Sequence, residues 1–152
     1  MGMRVFPRGA GDGADPGDEV RVLRFGAYFP RVFAYAQHRT RDEAITRELV
    51  TEAFARAFAR QERLPEDEFR MALFGAAREL CNAAHRTVPD DGLTDCQRDL
   101  VSLLFDGQLE RGEVAAILNI RDEVVTGELV RALKTLRAIL RSPDVPTFLR
   151  AS

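Results

Sequence analysis

Cys81, His85 and Cys96 are the side chains whose types best suit metal chemistry. Cys81 and His85 stand four apart, which places them on one face of a helix. With Cys96 brought near, they would make three zinc ligands. The plainer reading is a buried thiol and an imidazole at a helix end, where a protonated ring suits the dipole. The two cysteines form no CxxC pair, and no metal site is expected. His38 stands near another helix end and reads the same way. The stretch Gly9-Ala-Gly11-Asp-Gly13 is not a phosphate loop: no strand precedes it, no helix opens from it, and no Gly-Lys-Ser/Thr follows. General acid–base and nucleophilic work need convergent groups. None is visible, so the chain reads as no enzyme, with no catalytic residue and no cofactor.

The elements that position these residues follow from composition and periodicity. A length of 152 residues suits one compact domain or two small ones. No run of 18 apolar residues exists, so no membrane span is expected. The first Arg is followed by no apolar stretch of the secretory kind, and two unpaired thiols suit a reducing compartment. A cytoplasmic location is therefore expected. Nearly every basic residue is Arg, Lys134 being the single lysine, and the formal net charge is −2. Autonomous nucleic-acid binders are usually basic overall, so this balance counts against tight, independent DNA binding.

Residues 1–18 are rich in Gly and poor in apolar side chains, which predicts a disordered tail. Helical periodicity begins at Glu19. Val20, Leu23 and Ala27 start a stripe; Pro30 predicts a break near Tyr28 and a new start; Val32, Phe33 and Ala36 resume it. Asp42 is placed to cap a second helix with Ile45, Leu49, Val50, Ala53, Phe54, Ala57 and Phe58 inward. A third helix follows Pro65, with Phe69, Leu73, Ala76, Ala77, Leu80 and Ala84 inward. Residues 87–93 read as a linker. Thr94 caps a fourth helix carrying Leu100, Leu103 and Leu104, and Gly107 closes it. A fifth short helix runs from about Glu110 to Leu118, and Asn119 stands where a tight turn needs a left-handed residue. Asp122 is placed to cap a sixth helix with Val125, Leu129, Ala132, Leu133, Leu136 and Leu140 on one face, ended by Pro143 and Pro146. The expected fold is all-α: two three-helix units, residues 19–86 and 94–141, joined by the short linker, with a tail over 142–152.

A short helix, a three-residue turn and a longer helix make a helix-turn-helix, whose second helix enters the major groove. The alternative is a plain corner between two packed helices. In this frame Arg121, Val124, Thr126, Gly127, Arg131 and Lys134 are the candidate DNA-contacting residues of the sixth helix.

The register of this segment resembles the end of the extracytoplasmic-function (ECF) bacterial sigma factors. Glu113-Val-Ala115, Leu118-Asn-Ile120, Val125, Leu129, Arg131-Ala-Leu133 and Leu136-Arg137 fall in line with that family's −35-reading domain. Leu93 to Val101 is similar to the opening of the same domain. Pro30 to Ala36 resembles the first helix of the family's −10 domain, and Phe69 to Arg78 resembles its later helix. Glu48-Leu-Val-Thr-Glu52-Ala-Phe54 resembles the stretch that grips the core polymerase clamp. The likeness spans roughly residues 19–141, with both family domains in order. It implies transcription initiation with core RNA polymerase and promoter DNA as partners, an anti-sigma factor as a further one, and no membrane. It implies polymerase contacts at Glu48, Leu49, Val50, Thr51, Glu52 and Phe54, and −10 contacts at Arg70 and Arg78.

Three departures stand beside the likeness. The first turns of the sixth helix hold Arg121 against Asp122, Glu123 and Glu128, whereas phosphate contacts need cations. Ala72, Gly75 and Glu79 stand where the family has Trp, Arg and Asn, removing groups that hold a melted strand by stacking and charge. The linker reaches only about 25 Å when extended, at about 3.5 Å per residue. The two promoter elements lie about 50 Å apart, roughly one and a half turns of DNA. A short linker favours a compact form with the halves packed together. Two other readings use the same residues: a sigma-like interaction module that binds an anti-sigma factor or other regulator without reading DNA, and a stand-alone helix-turn-helix regulator.

Overall fold

A computed structural model describes residues 16–60, 64–84 and 92–140. Six helices follow one another: α1 (Pro16–Thr40), α2 (Glu43–Arg60), α3 (Glu66–Ala83), α4 (Asp95–Phe105), α5 (Arg111–Leu118) and α6 (Asp122–Leu140). The fold is all-α, and no strand occurs among the described residues. No helix among them is long and apolar enough to cross a membrane. His85, most of the linker and the C-terminal tail lie outside the described residues.

The start of the chain differs from expectation in two ways. α1 begins at Pro16, inside the stretch read as a tail. Proline suits a first helical turn, where its missing N–H has no partner to lose, and Asp18 and Glu19 complement the helix dipole. α1 then runs through Pro30 without a break. A proline inside a helix removes one hydrogen bond and crowds the carbonyl four residues back, at a cost of about 3 kcal/mol. Pro30 faces solvent, so the freed carbonyl of Gly26 remains within reach of water. Burial of Tyr28, Val32, Tyr35 and Ala36 on both sides of it holds the helix together. The expected early stripe is not core: Val20 and Leu23 are exposed.

The caps of the later helices are largely those expected. Asp42 Oδ1 accepts from the Ile45 amide at 3.1 Å. Thr94 and Gln97 exchange side-chain and backbone bonds, each at 3.1 Å, closing the first turn of α4. Asn119 ends α5 in the left-handed region at φ 59°. Asp122 is the first residue of α6 and lies inside its opening turn, with Arg121 O accepting from Val124 and Val125.

Helices α1, α2 and α3 pack on one another, α4 and α5 pack on α6, and contacts of α1 with α4 and of α3 with α5 join them. One apolar cluster runs through all six helices, from Val50, Phe54 and Phe69 to Leu100, Val114 and Val125. Thr46 replaces Ile45 as the buried residue early in α2, its hydroxyl bonded to Asp42 O at 2.8 Å and to Thr40 Oγ1 at 2.6 Å. Leu133 and Leu140 of α6 are exposed, because nothing in the described chain covers that side.

Gly107 closes α4 as expected, but the reason is contact rather than conformation. The left-handed residue of that turn is Gln108, at φ 57°. A Cβ at Gly107 would stand 2.6 Å from Leu103 O and 2.9 Å from the ring of Phe74. Only a glycine lets this turn seat on α3. Gly107→Ala is expected to destabilise the chain by about 1–3 kcal/mol through overpacking, as read by urea denaturation.

Candidate functional site

The α2 stretch Glu48 to Phe54 divides between two sides of its helix. Leu49, Val50 and Phe54 are buried and belong to the core. Glu48, Thr51 and Glu52 face outward, and Glu52 Oε2 accepts from Arg56 Nε at 3.1 Å. The six candidate residues thus do two jobs: three hold α2 in place, and three form an uncovered polar strip.

The α5–α6 surface has its own arrangement. Arg121, Arg131 and Lys134 are exposed, while Val124, Thr126 and Gly127 are half-buried along α6. Arg111 Nη1 donates to Thr126 Oγ1 at 2.9 Å, so α5 adds a guanidinium beside this face that periodicity did not single out. Glu128 does not point into it as an isolated acid. Its carboxylate accepts from Gln97 Nε2 of α4 at 3.0 Å and from Arg131 at 2.8 Å, which ties α6 to α4.

Arg70 and Arg78 turn toward the later helices. Arg70 Nη2 stands 2.6 Å from Glu113 Oε2, and its Nε donates to the same oxygen at 2.7 Å. Glu113 also caps α5, its other oxygen accepting from the Glu110 amide at 3.1 Å. Arg70 Nη1 donates to Tyr28 Oη at 2.9 Å, and Tyr28 donates in turn to Glu66. Arg78 Nε donates to Asp99 Oδ2 at 2.6 Å.

Asp99 is the centre of a buried polar cluster. Its Oδ1 accepts from Tyr35 at 2.5 Å and from Arg39 Nη1 at 2.7 Å. Arg39 also donates to Tyr35 Oη at 2.8 Å and to Asn82 at 2.6 Å. The side chains of Asp99 and Arg39 are each only 5% exposed, so water does little to screen the pair. Burial and the Asp99 carboxylate push the Tyr35 phenol well above its ordinary pKa, which keeps it a donor. Burial opposes the charge on Arg39, but Tyr35 and Asp99 outweigh it and its pKa is raised. Glu113 and Tyr28 raise that of Arg70 against the opposing effect of burial. Further along α1, Arg31 lies over the Tyr28 ring at 4.8 Å and donates to Gly107 O at 2.8 Å and Gln108 O at 3.1 Å. His38 Nδ1 meets Asp106 Oδ2.

Tyr28, Arg31, Tyr35, His38 and Arg39 recur at helical spacing, so one face of α1 supplies most of this junction. In the sequence His38 reads only as a helix-end residue, and none of the other four stands out as functional. The signal available was that spacing of aromatic and basic residues. The two thiols form no disulfide: Cys81 is buried in α3 and Cys96 is exposed on α4. Partial desolvation raises the Cys96 pKa, with Glu128 and Asp99 adding to it. Its alkylation by iodoacetamide at pH 7 is expected to be slower than that of an unperturbed thiol, and to rise only at higher pH than that thiol's. A rate equal to that of free cysteine at pH 7 would contradict this placement.

No protein-family model, curated protein or solved structure matches the chain.

Proposed function

We propose that the chain is a sigma-like transcription protein of the ECF type that binds core RNA polymerase through α2. In this reading it is built as two three-helix units, the second carrying a helix-turn-helix over α5 and α6. The observation that carries the reading is the division of the Glu48–Phe54 stretch. Its apolar half is spent on the core, and its polar half stays uncovered while α4 and α5 cover parts of α1 and α3. A clamp-binding strip needs that combination: a rigid base and an accessible edge. The left-handed Asn119 between α5 and α6 supports the helix-turn-helix, because it ends α5 in the tight turn that such a motif needs.

A second reading, a sigma-like module that binds a regulator without reading DNA, is favoured by Arg70 and Arg78. Both guanidiniums are engaged by Glu113 and Asp99. Transcription of fragmented genomic DNA by core polymerase, with and without the chain, separates the two. New, discrete start sites that depend on the chain support the sigma factor. Polymerase binding without any new start site supports the module.

A further inference from the structure

The second half of α6 carries an apolar edge that the described chain leaves uncovered. Leu133, Leu136 and Leu140 share one face by helical spacing. Leu133 is 47% exposed and Leu140 50%, while Leu136 is half-buried. Leu136 lines a cleft of about 280 Å³ with Val101 and Phe105 of α4, His38 of α1 and Arg41 just beyond α1. The Phe105 side of this cleft is open, the residue being 60% exposed. Small-molecule pockets usually begin at about 300 Å³ and enclose most of the ligand, so this cleft better suits one or two apolar side chains. Covering such a surface is favourable in proportion to the apolar area removed from water.

The sequence offers a cover close by. The large apolar side chains after Leu140 are Val145, Phe148 and Leu149, in the stretch Arg141-Ser-Pro-Asp-Val-Pro-Thr-Phe-Leu149. Pro143 and Pro146 disfavour a continued helix. The eight residues from Leu140 to Phe148 reach up to about 26 Å, at about 3.3 Å each. Leu136 stands only about 6 Å back along α6 from Leu140. Charge agrees with reach: Arg41 is exposed at the rim, and Asp144 precedes the apolar residues.

We propose that Val145 to Leu149 fold back onto the cleft between α4 and α6, with Phe148 against Phe105 and Leu136 and with Asp144 toward Arg41. Seated there, the segment is a strap. It touches the end of α1 as well as α4 and α6, and so reinforces the join between the first three helices and the last three. The contact of His38 with Asp106 borders the same cleft. Little intrinsic affinity is needed, because a short connection holds the segment at an effective concentration of about millimolar. The inference does not rest on the transcription reading: it uses neither the polar strip of α2 nor the first turns of α6.

The chain has no tryptophan, so Phe148→Trp places a single fluorescent reporter in the full chain. Its emission is expected to lie to the blue of free N-acetyltryptophanamide, and its quenching by acrylamide to be several-fold weaker. Both are expected to stay constant on serial dilution of the chain. Adding Phe105→Ser is expected to return both to the values of the free reporter. Phe105 is exposed, so this change leaves the helices in place, as circular dichroism checks. A reporter that emits and is quenched like the free compound would overturn the proposal, as would protection that survives Phe105→Ser. Protection lost on dilution would overturn it too, and would assign the cover to a second copy of the chain.

Discussion

Replacing Asp99 with alanine is expected to lower the unfolding free energy by about 3–5 kcal/mol, the usual consequence of removing one partner from a buried ion pair. One carboxylate satisfies Tyr35, Arg39 and Arg78 together. Without it, the Arg39 guanidinium stays in a nearly dry site, left with only Tyr35 and Asn82 as acceptors. The phenol of Tyr35 loses its acceptor as well. Asp99→Asn keeps the shape and part of the hydrogen bonding, so its loss is expected to be smaller but in the same direction. Urea denaturation of the three chains checks the order. A change under about 1 kcal/mol for the alanine variant would mean that the cluster is solvated and that the junction is not built around it.

Glu52→Lys is expected to abolish binding to core polymerase while leaving the fold intact. Glu52 is exposed, and its ion pairing with Arg56 spans one helical turn. Such a pair contributes little, so the stability change should stay within about 0.5 kcal/mol. Reversing the charge at Glu52 in the polar strip of α2 would set like charge against any basic partner surface. Normal unfolding combined with lost binding assigns the effect to the interface. Undiminished binding by the lysine variant would remove α2 from the polymerase contact. Leu49→Ala and Phe54→Ala would not serve the same purpose, because both residues are core and the variants would lose binding through destabilisation.

Local chemistry in the sequence foretold much of the fold. Asp42, Thr94 and Asn119 mark helix ends through side-chain or backbone preferences that need no distant partner, and each ends or starts a helix as expected. Pro30 misled because its local penalty is overridden by burial before and after it, which only packing can supply. Phe74 escaped the inward set of α3 for a related reason. It packs against Tyr35, at 6.1 Å between rings, and against the turn at Gly107, and that turn lies far along the chain. The candidate site was less legible than the helices. The motif at Glu48 to Phe54 was visible, but which half of it faces outward follows from the packing of α2 on α1 and α3. Asp99 carried no signal at all: its partners Tyr35 and Arg39 stand 64 and 60 residues away. Arg70 and Arg78 were marked by their register, yet the acids that engage them come from α5 and α4, beyond the reach of any periodicity.

The most direct measurement is a titration of the fluorescently labelled full chain into purified bacterial core RNA polymerase, followed by fluorescence anisotropy and checked by co-elution on gel filtration. The account predicts a saturable complex of one chain per polymerase, lost with Glu52→Lys and retained with Glu113→Gln. Absence of any complex with the parent chain, at polymerase concentrations that saturate an authentic sigma factor in the same assay, would contradict it.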